Sequence, residues 1–560
     1  GLGNPIGVLL DNAGVNTIGG TAQGAGNIIS ESPPVAGSTA AFVGVLIQGP
    51  PSGQAGSLVQ GNLIGLDAKN QPAANQFGVE IVNSSYNVIG GSSGGLISGT
   101  ASGIVLYRAG NIISGNSTAG IAITGQTSNL NQIQGNFIGT DPTGNNLIYG
   151  TGAISSDALG LQLHNRQAQS PKDPNSYLVA PTQYNGVLIN QASNNSIGAG
   201  NLISGNKIGV NIEGAAGDST KGASNVVTGN FIGTGSSGNI PVPNFEYGIY
   251  ISGSPKNSIS GNVISANGVA GIDIFGGGPQ NAANANSLGN VITGNKIGTN
   301  PVGGLAFPSG PSVNMTVHPV IILPGPDDPT QPPTTPASDL PAYLGFQLDG
   351  VVVIGSAGNT IGQQGNGNFI SGNILTGVFL TSHDFEGNTY AQPYGNTVQS
   401  DKIVKEGMYG VYLYDAPEAT NTIRLTGPKA NTISGSPIAI GSYVTGVNTQ
   451  ALPQPNPQSI LLPPPYGVPM NPFQSSTSGS GSGTKKVTTG GKHKPPPKVT
   501  HKPPKPTKHV VTKPVRHTAS QPSTQTTKAN SVISRPKVPA LLHPGAKLIQ
   551  VRHPAIKRGK

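Results

Sequence analysis

The sequence predicts an all-β protein: a right-handed parallel β-helix (a solenoid) over residues 1–447, carrying a disordered basic C-terminal tail. Three observations support this: a repeat of 23 residues, an alternating apolar pair that opens each repeat, and a load of 84 Gly and 49 Pro in 560 residues that excludes a helical protein.

The repeat reads as Gly, an alternating apolar pair, Asn-x-Ile-x-Gly-Asn, a second apolar pair and Asn. One unit runs from Gly248 to the next at Gly271, and another from Gly186 to Gly209. A third, from Gly350 to Gly377, is four residues longer, and the extra length falls in its turns. Constant strands with variable corners are the signature of a solenoid, whose stacked elements are constrained while its turns are not. Side chains two apart, such as Ile272 and Ile274, share one face of a strand and are expected to point inward. Strands of three or four residues must pair with the coils above and below, so stacking would bury a column of Ile, Val and Leu. The recurrent corner Asn (Asn195, Asn201, Asn206, Asn257, Asn262, Asn267, Asn421, Asn431) suits left-handed turns and amide ladders between coils. Gly205, Gly261 and Gly372 would make tight corners without a Cβ clash. About fourteen coils are expected. A sandwich, barrel or propeller needs longer strands, and a calcium-binding nonapeptide roll needs an Asp in each repeat where these carry Asn and Gly.

Composition narrows the chemistry. With no Cys there is no disulfide, thiolate metal site or cysteine nucleophile. No apolar run approaches the length of a membrane-spanning helix. Gly1 lies inside a repeat, so a leader or further protein is expected upstream. The net charge of +9 hides a division: residues 1–474 hold 12 Lys and Arg against all 21 acids, while residues 475–560 hold 18 Lys and Arg and no acid.

NLISGNKIGVNI at 201–212 and NFISGNILTGVFL at 368–380 resemble the right-handed parallel β-helix repeat of the pectate-lyase-like superfamily. GNFIGTDPTGN from Gly135, with its variants from Gly61, Gly229 and Gly294, is similar to repetitive secreted or surface proteins of planctomycete-type bacteria. The resemblance covers residues 1–447 and implies a fold more than a function, because this fold hosts many chemistries. It implies that an enzyme would bind a sugar chain along the outer face of one strand stack. Uronan lyases of this fold use an Arg or Lys base with acidic calcium ligands, and hydrolases use clustered Asp.

Outward middle positions of the leading strands are expected at Glu80, Val105, Ala122, Leu188, Asn211, Tyr250, Asp273, Val352, Phe379 and Tyr412. Glu80 and Asp273 are the carboxylates among them, and many coils separate the two. A catalytic pair must stand about 5–10 Å apart. The hydrolases' Asn-Thr-Asp, Asp-Asp and Gly-His-Gly signatures are missing, as is the Asp-Pro-His of alginate epimerases. Insertions interrupt the repeat at 151–185, where a short helix is possible in the first half, at 308–345 and at 381–401. The third supplies His383, Asp384 and Glu386, which adjacent coils would bring near Tyr412, Tyr414 and Asp415. These are the weak catalytic candidates. Phe379, Tyr412, Tyr414, Tyr250 and Asp273 are the candidate ligand-binding residues. His164 with Asp157, His318, Asp141, Asp327 and Asp328 carry less, and no metal-ligand spacing or cofactor motif emerges.

Residues 448–484 read as a Pro/Gly/Ser-rich linker and 485–560 as a disordered Lys/Pro/His-rich tail. Lys485, Lys486, Lys492, Lys494, Lys498, Lys502, Lys505, Lys508, Lys513 and Arg516 form its polyanion-binding stretch, compatible with acidic polysaccharide, another envelope polyanion or nucleic acid. Six of the nine His residues also lie there. Two classes of function follow. The first is a non-enzymatic extracellular or cell-surface solenoid, adhesive, structural or glycan-binding. The alternative is a polysaccharide lyase, hydrolase or epimerase acting on an acidic glycan.

Overall fold

A computed structural model of the chain describes residues 4–22, 24–30, 42–49, 56–91, 109–149, 152–154, 182–215, 220–276, 287–303, 347–384, 388–416 and 420–443. Among these the architecture is a right-handed parallel β-helix with three faces. One sheet stacks twelve six-residue strands, from Ile6–Asp11 to Ile438–Tyr443, and the two others each stack eleven strands of two or three residues. The leading strands are therefore longer than the sequence suggested. Among the described residues twelve coils stand where fourteen were expected. Val105 lies outside the described residues, and the strands on either side of it, Phe77–Val82 and Ala119–Thr124, pair directly with each other.

Each complete coil fills the interior with four aliphatic side chains. In one coil these are Ile249 and Ile251 from the long strand, then Ile259 and Ile264 from the two short ones, all with no exposed surface. Complete burial of such a side chain stabilises by about 1.5–3 kcal/mol, so the core grows coil by coil.

The corners are held by three side-chain ladders, one per edge. The first runs from Asn87 through Asn131 and Asn195 to Asn421, the second from Asn27 through Asn62 to Asn431, and the third from Asn75 through Asn116. At a typical rung Asn111 donates both its backbone N–H (3.0 Å) and its Nδ2 (2.9 Å) to Oδ1 of Asn136 in the next coil. Its Nδ2 also donates to the Val59 carbonyl of the preceding coil at 2.8 Å. The amide ladders match the sequence expectation, but the left-handed turns belong to a different residue. At most rungs the residue immediately before takes the positive φ: Gly261 (64°) before Asn262, Gly205 (78°) before Asn206, Lys256 (58°) before Asn257. Gly-Asn is thus a two-part corner, because Gly enters the left-handed region freely and Asn supplies the rung.

The glycine that opens each long strand is needed for another reason. A Cβ on Gly248 would sit 2.6 Å from the Gly271 carbonyl oxygen of the next coil and 2.8 Å from Ile264 Cγ2. The glycine hydrogen faces the interior beside the first inward Ile. The residue before it is thereby released to the outer face, a point that bears on the site below.

The phrase GNxIG marks a lateral loop on alternate coils. Leu66 bridges Pro72, Thr140 bridges Leu147 and Thr234 bridges Pro241, closing the loops over the outward side of the third sheet. They cover Leu63, Ile112, Phe137 and Leu202, from both their own coil and the next. Loops on successive loop-bearing coils already touch, with the Ser236 N–H donating to the Gly144 carbonyl at 3.0 Å, which leaves no room for one per coil. Asp141 organises one such loop, accepting from Thr143 Oγ1 at 2.8 Å, Asn146 N at 3.1 Å and Asn146 Nδ2 at 2.9 Å.

The insertions are narrower than the sequence suggested. Leu147–Tyr149 and Gly152–Ile154 form an antiparallel hairpin, Gln183 is a ladder rung and Asn185 opens a long strand. In the third, Thr381 ends a strand, Asn396 is a rung and Thr397–Val398 is a strand. The possible helix, with His164 and Asp157, lies outside the described residues, as do the 308–345 insertion and everything from residue 444 onward.

Two ladders carry an acid in place of an amide. Asp401 accepts from Asn368 N (2.7 Å) and Nδ2 (2.9 Å), and Glu406 accepts from Asn373 N and Nδ2 at 2.9 Å each. Their second oxygens, Asp401 Oδ2 and Glu406 Oε1, are buried without a hydrogen-bond partner. A protonated carboxyl can donate where the missing amide would have donated, whereas a carboxylate cannot. Burial pushes Asp401 up to about 7 and Glu406 up to about 8, against the opposing hydrogen bonds from Asn368 and Asn373. Both folded-state values lie above the unfolded ones. The stability that these two carboxyls contribute is therefore fully present in acid, falls once pH exceeds the ordinary carboxylate range, and is lost as pH rises through about 7 and 8. Asp401→Asn with Glu406→Gln restores both donors. It should raise the thermal midpoint at neutral pH and lessen the fall between about pH 5 and 8, leaving the part due to Asp273 and Asp349, as read by circular dichroism. An unchanged pH profile would remove these rungs from the account.

Candidate functional site

The long-strand sheet presents three outward columns. The middle column contains nine of the ten positions expected from the sequence, in register from Glu80 through Ala122, Leu188, Asn211, Tyr250, Asp273, Val352 and Phe379 to Tyr412. Val105 is absent from it. The column before the leading glycine also faces outward and includes Asn185, Tyr247, Asp349 and Tyr409. The column at the strand end includes Glu213, Phe275 and Tyr414.

Aromatic rings concentrate on the later coils of this face. Phe379 stacks on Tyr412 at 5.5 Å and Tyr412 on Tyr409 at 4.4 Å, with interplanar angles of 19° and 16°. A second stack joins Tyr247 to Tyr250 at 5.1 Å and Tyr250 to Phe275 at 6.3 Å. Burial raises the phenols of Tyr247 and Tyr250, with the nearby Asp273 acting in the same direction, so both stay protonated. Beside this stack Glu213 accepts from Asn190 Nδ2 and Asn211 Nδ2, each at 2.8 Å. Amides, a carboxylate and rings thus share one flank.

Between the stacks lie two carboxyls that the sequence reading did not pair. Asp273 and Asp349 belong to adjacent coils, each only 1% exposed. Asp349 accepts from the backbone N–H (3.1 Å) and hydroxyl of Thr376, and burial pushes it up to about 7. Neither oxygen of Asp273 has a hydrogen-bond partner. Burial raises it well above the usual carboxylate range, and Asp349 and Asp384 raise it further. Desolvation also raises Glu80, far along the same column. Asp349 could have been found from sequence as the residue before Gly350. Tyr247 and Tyr409 occupy the same position before Gly248 and Gly410.

The loop after Thr381 splits the expected cluster. Asp384 accepts from Asn388 N (2.8 Å), Asn388 Nδ2 (2.8 Å) and the Tyr390 hydroxyl (2.7 Å). Tyr390 then places its ring edge-on to Phe275 at 4.8 Å, tying the loop to the sheet face. His383 goes the other way, with Nδ1 3.6 Å from Asp415 Oδ2 and 3.0 Å from Ser382 Oγ, and its ring 5.1 Å from Tyr414. Glu386 and the tail cations Lys485 to Arg516 lie outside the described residues. Among the described residues no group of three acids or histidines could hold a metal ion, and no helix is long and apolar enough to cross a membrane.

Burial lowers the His383 imidazole despite the raising influence of Asp415 and Asp384. His383 should therefore titrate below the ordinary histidine range by NMR. Asp415→Asn should lower it further, because the carboxylate favours the imidazolium; an unmoved titration would show that the two do not interact.

No protein-family model and no curated protein matches the chain. Among solved structures it is similar to the Dettilon tailspike protein, at 16% identity over 71% of this chain with a TM-score of 0.31; the match spans 55% of that protein's length. It is also similar to the A-module of a mannuronan C-5 epimerase from Azotobacter vinelandii (12% identity, 72% of this chain and 84% of that one, TM-score 0.25). A polygalacturonase from Erwinia carotovora ssp. carotovora gives 13% identity, 72% and 89% coverage, and a TM-score of 0.26. At these values the likeness carries no residue role to this chain.

Proposed function

We propose that this chain is a non-enzymatic, glycan-binding β-solenoid that works at the cell surface or outside the cell, and that the outer face of its long-strand sheet, from Asn185 to Tyr414, binds the polysaccharide. The observation that supports this best is the pair of ring stacks, Tyr247–Tyr250–Phe275 and Phe379–Tyr412–Tyr409, on one face of a rigid rod. The clustered rings offer apolar surface to the C–H face of a sugar, while the phenols and neighbouring amides can meet its hydroxyls. Rings held by stacking lose little rotamer freedom when a ligand binds.

The adjacent Asp273 and Asp349 favour a second reading, acid–base cleavage of a glycan, because one carboxyl of such a pair can hold its proton at neutral pH. Their burial argues for the first reading, since a substrate oxygen must touch a catalytic acid.

The tail is proposed to attach the rod to an anionic envelope or matrix through counterion release. Its lysines and arginines carry no base-reading pattern, so a nucleic acid would be held without sequence preference.

Tyr250→Ala and Tyr412→Ala should each weaken retention on a bound polysaccharide by about tenfold, or ~1.4 kcal/mol, in affinity electrophoresis. Retention unchanged in both variants would remove the face from the account. Separately, deletion after Gln474 should abolish salt-sensitive binding to heparin and leave the Tyr412-dependent binding intact.

A further inference from the structure

The long-strand face has a charge pattern that selects among polysaccharides. Its three outward columns, taken over all twelve strands, hold five carboxyls, Asp11, Glu80, Glu213, Asp273 and Asp349, and no Lys, Arg or His. Three of the cations near its borders have partners of their own. Lys207 is paired with Glu246 at 3.0 Å and lies 4.5 Å over the Tyr184 ring, and Lys402 lies over Phe369 on the third sheet. His383 sits against Asp415 on the flank.

We propose that the polysaccharide bound on this face carries no anionic charge: its chemistry is that of an uncharged glycan, in contrast to the polyanions that suit the tail. This rests on the glycan-binding reading above. A uronate or sulfate brought onto the ring stacks would be partly desolvated and would need a cation beside it. The strands offer none. It would meet Glu213, whose two oxygens already take the amide donors of Asn190 and Asn211. Two like charges brought together there repel, and that repulsion acts as selection. A sugar hydroxyl meets no such penalty. It can donate to Glu213, because each carboxylate oxygen has a lone pair beyond the one that takes an amide donor.

The face and the tail therefore divide ligands by charge. At low salt the full chain would hold acidic polymers through the tail alone, and raising the ionic strength would screen that mode while leaving stacking on the face.

The test uses the full chain in affinity electrophoresis with four probes, an uncharged β-glucan, an uncharged galactomannan, polygalacturonate and alginate, at low and high ionic strength. At high ionic strength an uncharged polymer should still retard the protein, about tenfold or more less so for the Tyr250→Ala, Tyr412→Ala double variant. Polygalacturonate and alginate should retard it at low ionic strength only, equally for wild type and double variant. A competition on wild type needs no variant: excess polygalacturonate at high ionic strength should fail to displace a bound uncharged polymer. Displacement, or high-salt binding of either acidic polymer that the double variant loses, would overturn the charge selection and leave the glycan-binding reading standing. If no polymer shows binding that depends on Tyr250 and Tyr412, the glycan-binding reading fails and takes the selection with it.

Discussion

The structure depends on one constraint: every coil must present its corner amides in register with those of the next. An Asn rung receives two hydrogen bonds on its Oδ1 from one coil and passes on donors of its own, as between Asn230 and Asn262. These amides are buried, so each lost rung would leave donors and acceptors unpaired at about 1–3 kcal/mol per group. The ladder fixes the rise, and the rise determines the rest. At most rungs the preceding residue turns left-handed, even where it is Tyr86, Leu130 or Lys256. The residue opening the long strand must lack a Cβ, because the next coil's carbonyl oxygen lies too close. Ala439 takes the glycine's place in the last described strand, with no described strand stacked beyond it.

A scaffold this constrained leaves little freedom inside and much outside. Interior positions are Ile, Val or Leu almost throughout, whereas the middle outward column runs from Glu through Ala, Leu, Asn, Tyr, Asp, Val and Phe to Tyr. Variation confined to one face of a uniform rod is where recognition can be placed without disturbing the stack. The third sheet's outer face is unsuited to that role over its earlier coils, because the lateral loops cover it. The long-strand face is the one left to carry the rings.

Much of this was legible in the sequence. The 23-residue period, the inward pairs such as Ile272 and Ile274, and the amide ladders all follow from strand periodicity and the chemistry of Asn. What was missed has physical causes. Left-handed geometry was assigned to Asn, yet an amide cannot both serve as an aligned rung and supply the turn, so the preceding Gly, Lys or Leu turns instead. The coil count was too high because the lateral loops and insertions consume residues without adding a rise. Asp349 escaped notice because simple alternation places the residue before the glycine inside; the glycine and the following Ile or Val both face the core, which turns Asp349 outward beside Asp273. His383 and Asp384 were expected together and point apart, since Tyr390 draws Asp384 toward Phe275 while Asp415 and Tyr414 hold His383.

The direction of the outward columns bears on what shape of ligand fits. They run along the rod, so successive platforms are separated by whole coil rises of about 4.8 Å and cannot shift relative to one another. Phe379 and Tyr412 occupy adjacent coils, whereas Asp273 and Val352 intervene between Tyr250 and Phe379. A compact ligand could use one stack and gain nothing from the other. An extended polymer lying parallel to the axis can use both, and each further contact adds to the first without a second loss of translational freedom. The amide ladders matter here as well, because a face whose spacing is fixed by buried hydrogen bonds needs no ordering when the polymer arrives. The ladder that specifies the fold therefore also pre-organises the face.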